Sequence, residues 1–196
     1  MRRIEQWQQL GPPFSYHEVW RPGWAWARVS TGVLGFTGEY PQKIDGKGRM
    51  SIPADFRRVL EAGDPDWTEG LNPRLYLQFG DHLKDNLRVY SVEEFDRIAA
   101  QIRAMPAGSK QKQMVSRLYL GQSMKLEIDR DGRIVMPIRQ RRKLGLEQGE
   151  VLFMGVGDYF EIWKADTFET TVGQEVTDWL EEQPEGFDPL SLVEGL

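Results

Sequence analysis

Two arginines occupy the same place in two similar ten-residue stretches. Arg49 lies in IDGKGRMSIP (44–53), and Arg133 lies in IDRDGRIVMP (128–137). Each arginine directly follows a glycine and lies four residues after an aspartate. Asp and Gly at this spacing favour a tight turn, in which Asp binds the backbone and Gly takes a positive φ. The pattern therefore predicts two turns, each presenting one guanidinium group.

A guanidinium group placed in this way has two uses. As a structural group it pairs with its own aspartate, and an exposed pair contributes under ~1 kcal/mol. As a binding group, its planar fork of donors matches a phosphate or the edge of a guanine. Because turns of this kind are common, the residues alone favour the structural interpretation.

The two stretches belong to a longer internal repeat. Residues 41–60 and 125–144 align without gaps with eight identities in twenty, as expected for a duplicated module of roughly 60–70 residues. Each copy predicts a strand, the turn, a second strand and a short helix, followed by two strands and another helix. We expect the first two strands to form a tight β-hairpin. One such hairpin cannot bury its apolar face alone, so the two copies must cover each other.

Charge is unevenly distributed along the chain. The formal net charge is −5, yet residues 1–164 contain all 25 Lys and Arg and 21 of the 30 acids, and so carry +4. Residues 165–196 contain nine acids and no base. The net acidity alone argues against a nucleic-acid partner, but the mildly basic body is compatible with one.

The residue types exclude several kinds of site. The chain contains no Cys, which excludes disulfides, thiolate metal sites and cysteine nucleophiles. We identify no nucleophile–base pair that would support hydrolysis. The sequence has neither an apolar run of about 18 residues nor the apolar segment of a secretory signal. We therefore expect a cytoplasmic protein that is not an enzyme and has no metal, cofactor, small-molecule substrate or membrane partner.

The chain is expected to divide into five segments. The first is rich in Trp, Pro and Gly and lies outside the repeat, so we expect it to be irregular; a start codon assigned upstream of the true one is an alternative. The segments are residues 1–35 (leader), 36–105 (repeat 1), 106–120 (linking helix), 121–170 (repeat 2) and 171–196 (acidic tail).

Three stretches of the chain match the pattern of one known family. They are GEYPQKIDGKGRMSIPADFR (38–57), GQSMKLEIDRDGRIVMPIRQRRKLGL (121–146) and GVGDYFEIW (155–163). On these residues the chain resembles the MraZ family of bacterial transcriptional regulators over about residues 36–170. The resemblance is specific because it requires two Asp-x-x-x-Arg copies in a fixed order. The leader and an extra loop at 79–86 depart from the family pattern without affecting this motif.

The resemblance implies a mainly β fold with short helices (α+β), built from two tandem AbrB-like swapped-hairpin half-barrels related by pseudo-twofold symmetry. It implies a ring-shaped homo-oligomer that binds repeated promoter boxes on double-stranded DNA, in the cytoplasm and at the nucleoid. The implied function is sequence-specific transcriptional regulation, with repression of the protein's own division and cell-wall gene cluster as the expected outcome.

With this resemblance, DNA contact becomes the favoured role of Arg49 and Arg133. A two-stranded ribbon fits the major groove, where Arg to guanine is the commonest specific contact. The residues expected to position the two turns are Asp45, Gly48, Asp129 and Gly132. The further expected DNA contacts, mainly to phosphates, are Lys47, Arg130 and Lys43. The repeated pairs Arg57–Arg58 and Arg141–Arg142 are at least as well interpreted as helix-surface charges or interface salt bridges.

A second function remains open at this point. The protein could be a ring-forming assembly or protein-interaction module in which the Asp–Arg turns are purely structural. The small charge of the body and the acidic tail favour this alternative. Short, evenly spaced direct repeats upstream of the gene would separate the two hypotheses, because only DNA recognition requires them.

Overall fold

The computed structural model describes residues 35–193. The predicted leader lies outside the described residues except for Gly35, as do the last three residues of the predicted tail. The described part is a mixed α and β structure whose strands all pair antiparallel. This confirms the expected combination of β-strands with short helices.

The first copy forms four strands and two helices. They are β1 (Glu39–Ile44), β2 (Arg49–Ser51), α1 (Ala54–Ala62), β3 (Arg74–Gln78), β4 (Asn86–Ser91) and α2 (Val92–Ala104). Helix α1 directly follows Pro53 and buries Phe56 and Leu60, which share one face because they are four residues apart. Helix α2 begins after Ser91, whose Oγ accepts the backbone N–H of Glu94 at 3.2 Å, the bond of a helix N-cap.

The second copy repeats this order after a helical connection. The connection is α3 (Lys110–Val115) followed by a π-helical turn (Ser116–Leu120). The second-copy elements are β5 (Ser123–Glu127), β6 (Arg133–Val135), α4 (Ile138–Lys143), β7 (Gly149–Gly155) and β8 (Tyr159–Lys164). Helix α5 (Ala165–Phe168) ends the second copy, and a π-helical turn (Glu169–Gly173) leads into the predicted acidic tail. That tail, residues 171–196, contains α6 (Gln174–Glu181) and a 3₁₀ turn (Pro189–Leu192).

The strands of the two copies pair mainly with each other. The larger sheet has the order β1-β7-β8-β4-β3-β5, and β2 and β6 form a separate two-stranded ladder. The predicted hairpin of β1 with β2 is therefore wrong as a continuous ladder. The turn between them forms, but the chain then diverges: β1 pairs with β7, whereas β2 pairs with β6. The same divergence separates β5, which pairs with β3, from β6.

One hydrophobic core joins the ladder, α1 and the larger sheet. Its fully buried members come from both copies, and they include Met50, Phe56, Leu75, Leu77, Leu87, Ile134, Met136, Phe153 and Phe160. Phe56 packs on Phe160 with a ring separation of 4.8 Å. Each large apolar side chain contributes about 1.5–3 kcal/mol through burial. Because neither copy supplies this core alone, the repeat is a structural requirement of the fold.

Candidate nucleic-acid interface

The first turn is organised by the carboxylate of Asp45. Its Oδ1 accepts the backbone N–H groups of Lys47 and Arg49, both at 2.9 Å. Its Oδ2 accepts Arg49 Nε at 2.7 Å. The backbone N–H of Arg49, followed by the Arg49 side chain, lowers the pKa of Asp45. The carboxylate is therefore ionised at neutral pH and fixes both the turn and the direction of the Arg49 side chain.

The second turn repeats this arrangement. Asp129 Oδ1 accepts the backbone N–H groups of Asp131 and Arg133 at 2.9 Å. Its Oδ2 accepts Nε and Nη2 of Arg133, both at 3.1 Å. The backbone N–H of Arg133 is the main cause that lowers the pKa of Asp129. Arg133 also pairs with Asp131, so it contacts two carboxylates, whereas the ion pair of Arg49 is with Asp45.

Two glycines let each turn pack closely against the other copy. Gly48 has φ +84° and Gly132 has φ +76°, conformations that side chains other than glycine rarely adopt. A Cβ atom on Gly48 would overlap the backbone oxygen of Met136. The Gly48 oxygen accepts the N–H of Met136 at 2.8 Å, and the Gly132 oxygen accepts the N–H of Ile52 at 2.9 Å. Through these two hydrogen bonds, each turn binds the residue that follows the β2 or β6 strand of the other copy.

The β2–β6 ladder places both arginines on one outward face. Its register pairs Arg49 with Val135, Met50 with Ile134, and Ser51 with Arg133. Met50 and Ile134 are buried, so their neighbours point the other way. The side chains of Arg49 and Arg133 are 45% and 35% exposed. Diagonal neighbours on such a ladder lie about 7–8 Å apart, so the two arginines lie close together on this face, each directed to the aspartate of its own turn.

The other predicted contact residues divide into two groups. Lys47 and Arg130 are exposed in the turns that precede β2 and β6. Lys43 lies on β1 opposite Glu150, and their side chains form an exposed ion pair at 3.6 Å. Lys47 and Arg130 therefore flank the two arginines along the chain, whereas Lys43 belongs to the larger sheet and is already paired.

Arg141 supports the site in a way that the sequence analysis missed. It is buried, and its Nη1 donates to the backbone oxygens of Gly46 at 3.2 Å and Glu147 at 2.6 Å. Arg57, at the equivalent position of the first copy, lies against Gly132 of the second turn. The one sign of this role in the sequence is that both copies have an arginine at this position. In the structure the next residue, Arg142, is exposed.

Within residues 35–193, no group of three or more His, Asp or Glu side chains is placed to hold a metal ion. In the same range, no helix is both long and apolar enough to cross a membrane. A cavity of about 420 Å³ opens beside Arg88 and Glu161, but these two groups already pair at 3.1 Å.

Known proteins match this chain over a range that includes both turns. The family described as "MraZ protein, putative antitoxin-like" matches residues 36–118 and 120–184. A protein of Ruegeria pomeroyi named Transcriptional regulator MraZ is 44% identical over 160 residues, which cover 82% of this chain and 95% of that protein. Its namesake from Ruegeria sp. is 42% identical with the same coverage. Another, from Acetivibrio thermocellus, is 33% identical over 140 residues, covering 71% and 88%. With both motif turns inside the matched residues, the chain belongs to the MraZ family.

Proposed function

We propose that this protein is a sequence-specific, double-stranded DNA-binding transcriptional regulator and not an enzyme. The observation that carries the proposal is the shared outward face of Arg49 and Arg133 on a two-stranded ladder. The relatives named as transcriptional regulators support it. In this role the protein acts in the cytoplasm at the nucleoid, as a repressor of its own division and cell-wall gene cluster.

The chemistry of the face suits base recognition in the major groove. A two-stranded ribbon is narrow enough to enter that groove, where the arginine fork matches O6 and N7 of guanine. Asp45 and Asp129 hold the guanidinium groups in place before DNA arrives, which reduces the entropy lost on binding. Lys47 and Arg130 then contact phosphates, which add affinity but little sequence preference.

The proposal includes an internal symmetry of the fold. The two copies, residues 36–105 and 121–170, form two swapped-hairpin halves related by a pseudo-twofold axis, joined by the linking helix at 106–120. The strand order supports this, since exchanging equivalent strands of the two copies reproduces the same order in reverse. Such symmetry explains why Arg49 and Arg133 occupy equivalent positions in the two turns.

One ladder offers few base contacts, so a single subunit is expected to bind weakly. A ring-shaped homo-oligomer that meets repeated promoter boxes turns further contacts into intramolecular events with a high effective concentration. DNA affinity should therefore rise steeply with the number of boxes and depend on their spacing.

One observation favours the alternative of a ring-forming assembly module. Arg133 contacts both Asp129 and Asp131, so its charge is largely compensated within its own turn. In that case the turns serve only to join the two copies, and DNA binding is not required.

Gel-shift titration on the DNA upstream of the protein's own gene tests the proposal. We expect Arg49→Ala and Arg133→Ala to abolish the specific complex while light scattering shows an unchanged oligomer. Arg97→Ala is the matched control, because Arg97 is an exposed arginine of α2 that also pairs with a carboxylate, Glu94. Normal shifts by both ladder variants would reject the DNA role of these arginines and favour the assembly alternative.

A further inference from the structure

The outward face of the ladder is not chemically symmetric. The equivalent positions of the two copies carry the same residue at Arg49 and Arg133 but different residues at Ser51 and Val135. Val135 is 54% exposed, although the neighbouring Ile134 is buried in the core. One half of an otherwise matched face thus presents two methyl groups where the other presents a hydroxyl group.

The register places each of these residues beside an arginine. Val135 is directly opposite Arg49, and Ser51 is directly opposite Arg133. Directly opposed side chains start about 4.5–5.5 Å apart, and successive base pairs are about 3.4 Å apart along the helix axis. Two opposed side chains that enter one groove therefore address the same or adjacent base pairs.

We infer that Val135 determines specificity by contacting the C5-methyl group of a thymine next to the base that Arg49 contacts. The inference rests on the proposed function and adds a base preference to it. In the major groove, thymine is the base that presents a methyl group, and apolar side chains recognise it by contact. Ser51 can donate or accept a hydrogen bond at either kind of base pair, so the Arg133 half lacks this thymine preference.

An ordinary exposed valine is the competing explanation, since single apolar side chains are common on protein surfaces. The two explanations differ in one measurable property. If Val135 has no role in binding, removing the thymine methyl groups leaves its contribution to DNA affinity unchanged. If Val135 contacts a thymine methyl group, removing that group lowers the affinity.

The experiment uses the full chain and two duplexes of the gene's own upstream region, one with thymidine and one with deoxyuridine in its place. We expect the wild type to bind the deoxyuridine duplex about fourfold more weakly for each thymine methyl group contacted, the effect of removing one buried methyl-sized group. Val135→Ser should bind both duplexes equally, whereas Val135→Ile should keep the difference. Ser51→Val should enlarge it.

The possible results distinguish the thymine contact of Val135 from the proposed DNA binding. Strong binding of both duplexes by the wild type, with no difference between them, overturns the role of Val135 and leaves DNA binding intact. A difference that persists in Val135→Ser overturns it as well, because the methyl groups are then read elsewhere. Binding of neither duplex rejects the proposed function and the inference together. Because Val135 is exposed, unchanged melting temperatures are expected for its variants and serve as the folding control.

Discussion

Arg141 Nη1 donates a hydrogen bond to the backbone oxygen of Gly46, which lies 95 residues earlier in the chain. The same nitrogen donates to the oxygen of Glu147. A charged donor from the helix of one copy thus holds the turn of the other copy, immediately before the strand that carries Arg49. The position of that arginine depends on both copies being folded.

Replacing Arg141 is expected to destabilise the protein. Arg141→Met keeps much of the side-chain length but removes both hydrogen bonds, and bonds to a charged donor contribute about 1.5–3 kcal/mol each. We expect a loss of at least about 3 kcal/mol in urea denaturation. Arg142→Met is the matched control, because Arg142 is exposed and its ion pair with Glu147 is long, at 3.7 Å. Equal losses for the two variants would contradict the structural role of Arg141.

Gly48 is expected to tolerate no side chain. Its positive φ and the overlap with the Met136 oxygen both penalise Gly48→Ala, so we expect a large fall in the melting temperature and loss of DNA binding. Gly173→Ala is the control. Gly173 has helical dihedrals, and a Cβ atom added to it would meet open space, so the alanine should stabilise the helix by up to ~1 kcal/mol. A similar melting temperature for both variants would show that the turn at Gly48 can relax.

The residues at the turn tips should act differently from the arginines of the ladder. If Lys47 and Arg130 contact phosphates, each Ala variant weakens binding to specific and unrelated DNA alike. The slope of log affinity against log salt should fall by about 1 for each contact removed. Lys112→Ala serves as the control, since Lys112 donates to the backbone oxygens of Arg103 and Met105 on the helical connection. An unchanged slope for both turn variants would remove them from the interface.

The sequence predicts much of the local structure but not the strand pairing. The short helix expected after the second strand of each copy forms at Ala54–Ala62 and at Ile138–Lys143. The Asp and Gly residues of a turn specify only a local reversal of the chain. They do not indicate that β1 pairs with β7 and not with β2. That choice depends on apolar faces that meet only in the folded chain.

The burial of Arg141 escaped the sequence analysis for a similar reason. The run RQRRK has the composition of an exposed helix face, and Arg142 is indeed exposed. Arg141 is buried because its acceptor on Gly46 lies in the other copy. A contact between segments so far apart along the chain leaves no periodic signal near either residue.

The buried carboxylate of Asp64 should contribute more to stability than its exposed neighbour. Asp64 binds Arg74 through the backbone N–H at 3.0 Å and through Nε at 2.9 Å, while the exposed Asp66 pairs with the same guanidinium group at 2.6 Å. Each hydrogen bond between charged groups contributes about 1.5–3 kcal/mol, and an exposed pair contributes about 0–1 kcal/mol. Urea denaturation at pH 7 should therefore show a loss of about 3 kcal/mol for Asp64→Ala and under about 1 kcal/mol for Asp66→Ala. Equal losses would contradict this assignment.

The carboxylate of Asp64 also makes the free energy of unfolding depend on pH. Hydrogen bonds from the Arg74 side chain are the main cause that lowers the pKa of Asp64 below its ordinary 3.8. A group whose pKa is lower in the folded state stabilises that state at pH values above its unfolded pKa, and this stabilisation is lost as the pH falls through the folded pKa. We therefore expect the free energy of unfolding to decrease below about pH 4, with a shallower decrease in Asp64→Asn, which cannot ionise. Melting curves from pH 7 to pH 2 measure both, with Asp66→Asn as the control. A decrease as steep in Asp64→Asn as in the wild type would assign the acid sensitivity to other carboxylates, such as Asp45 and Asp129.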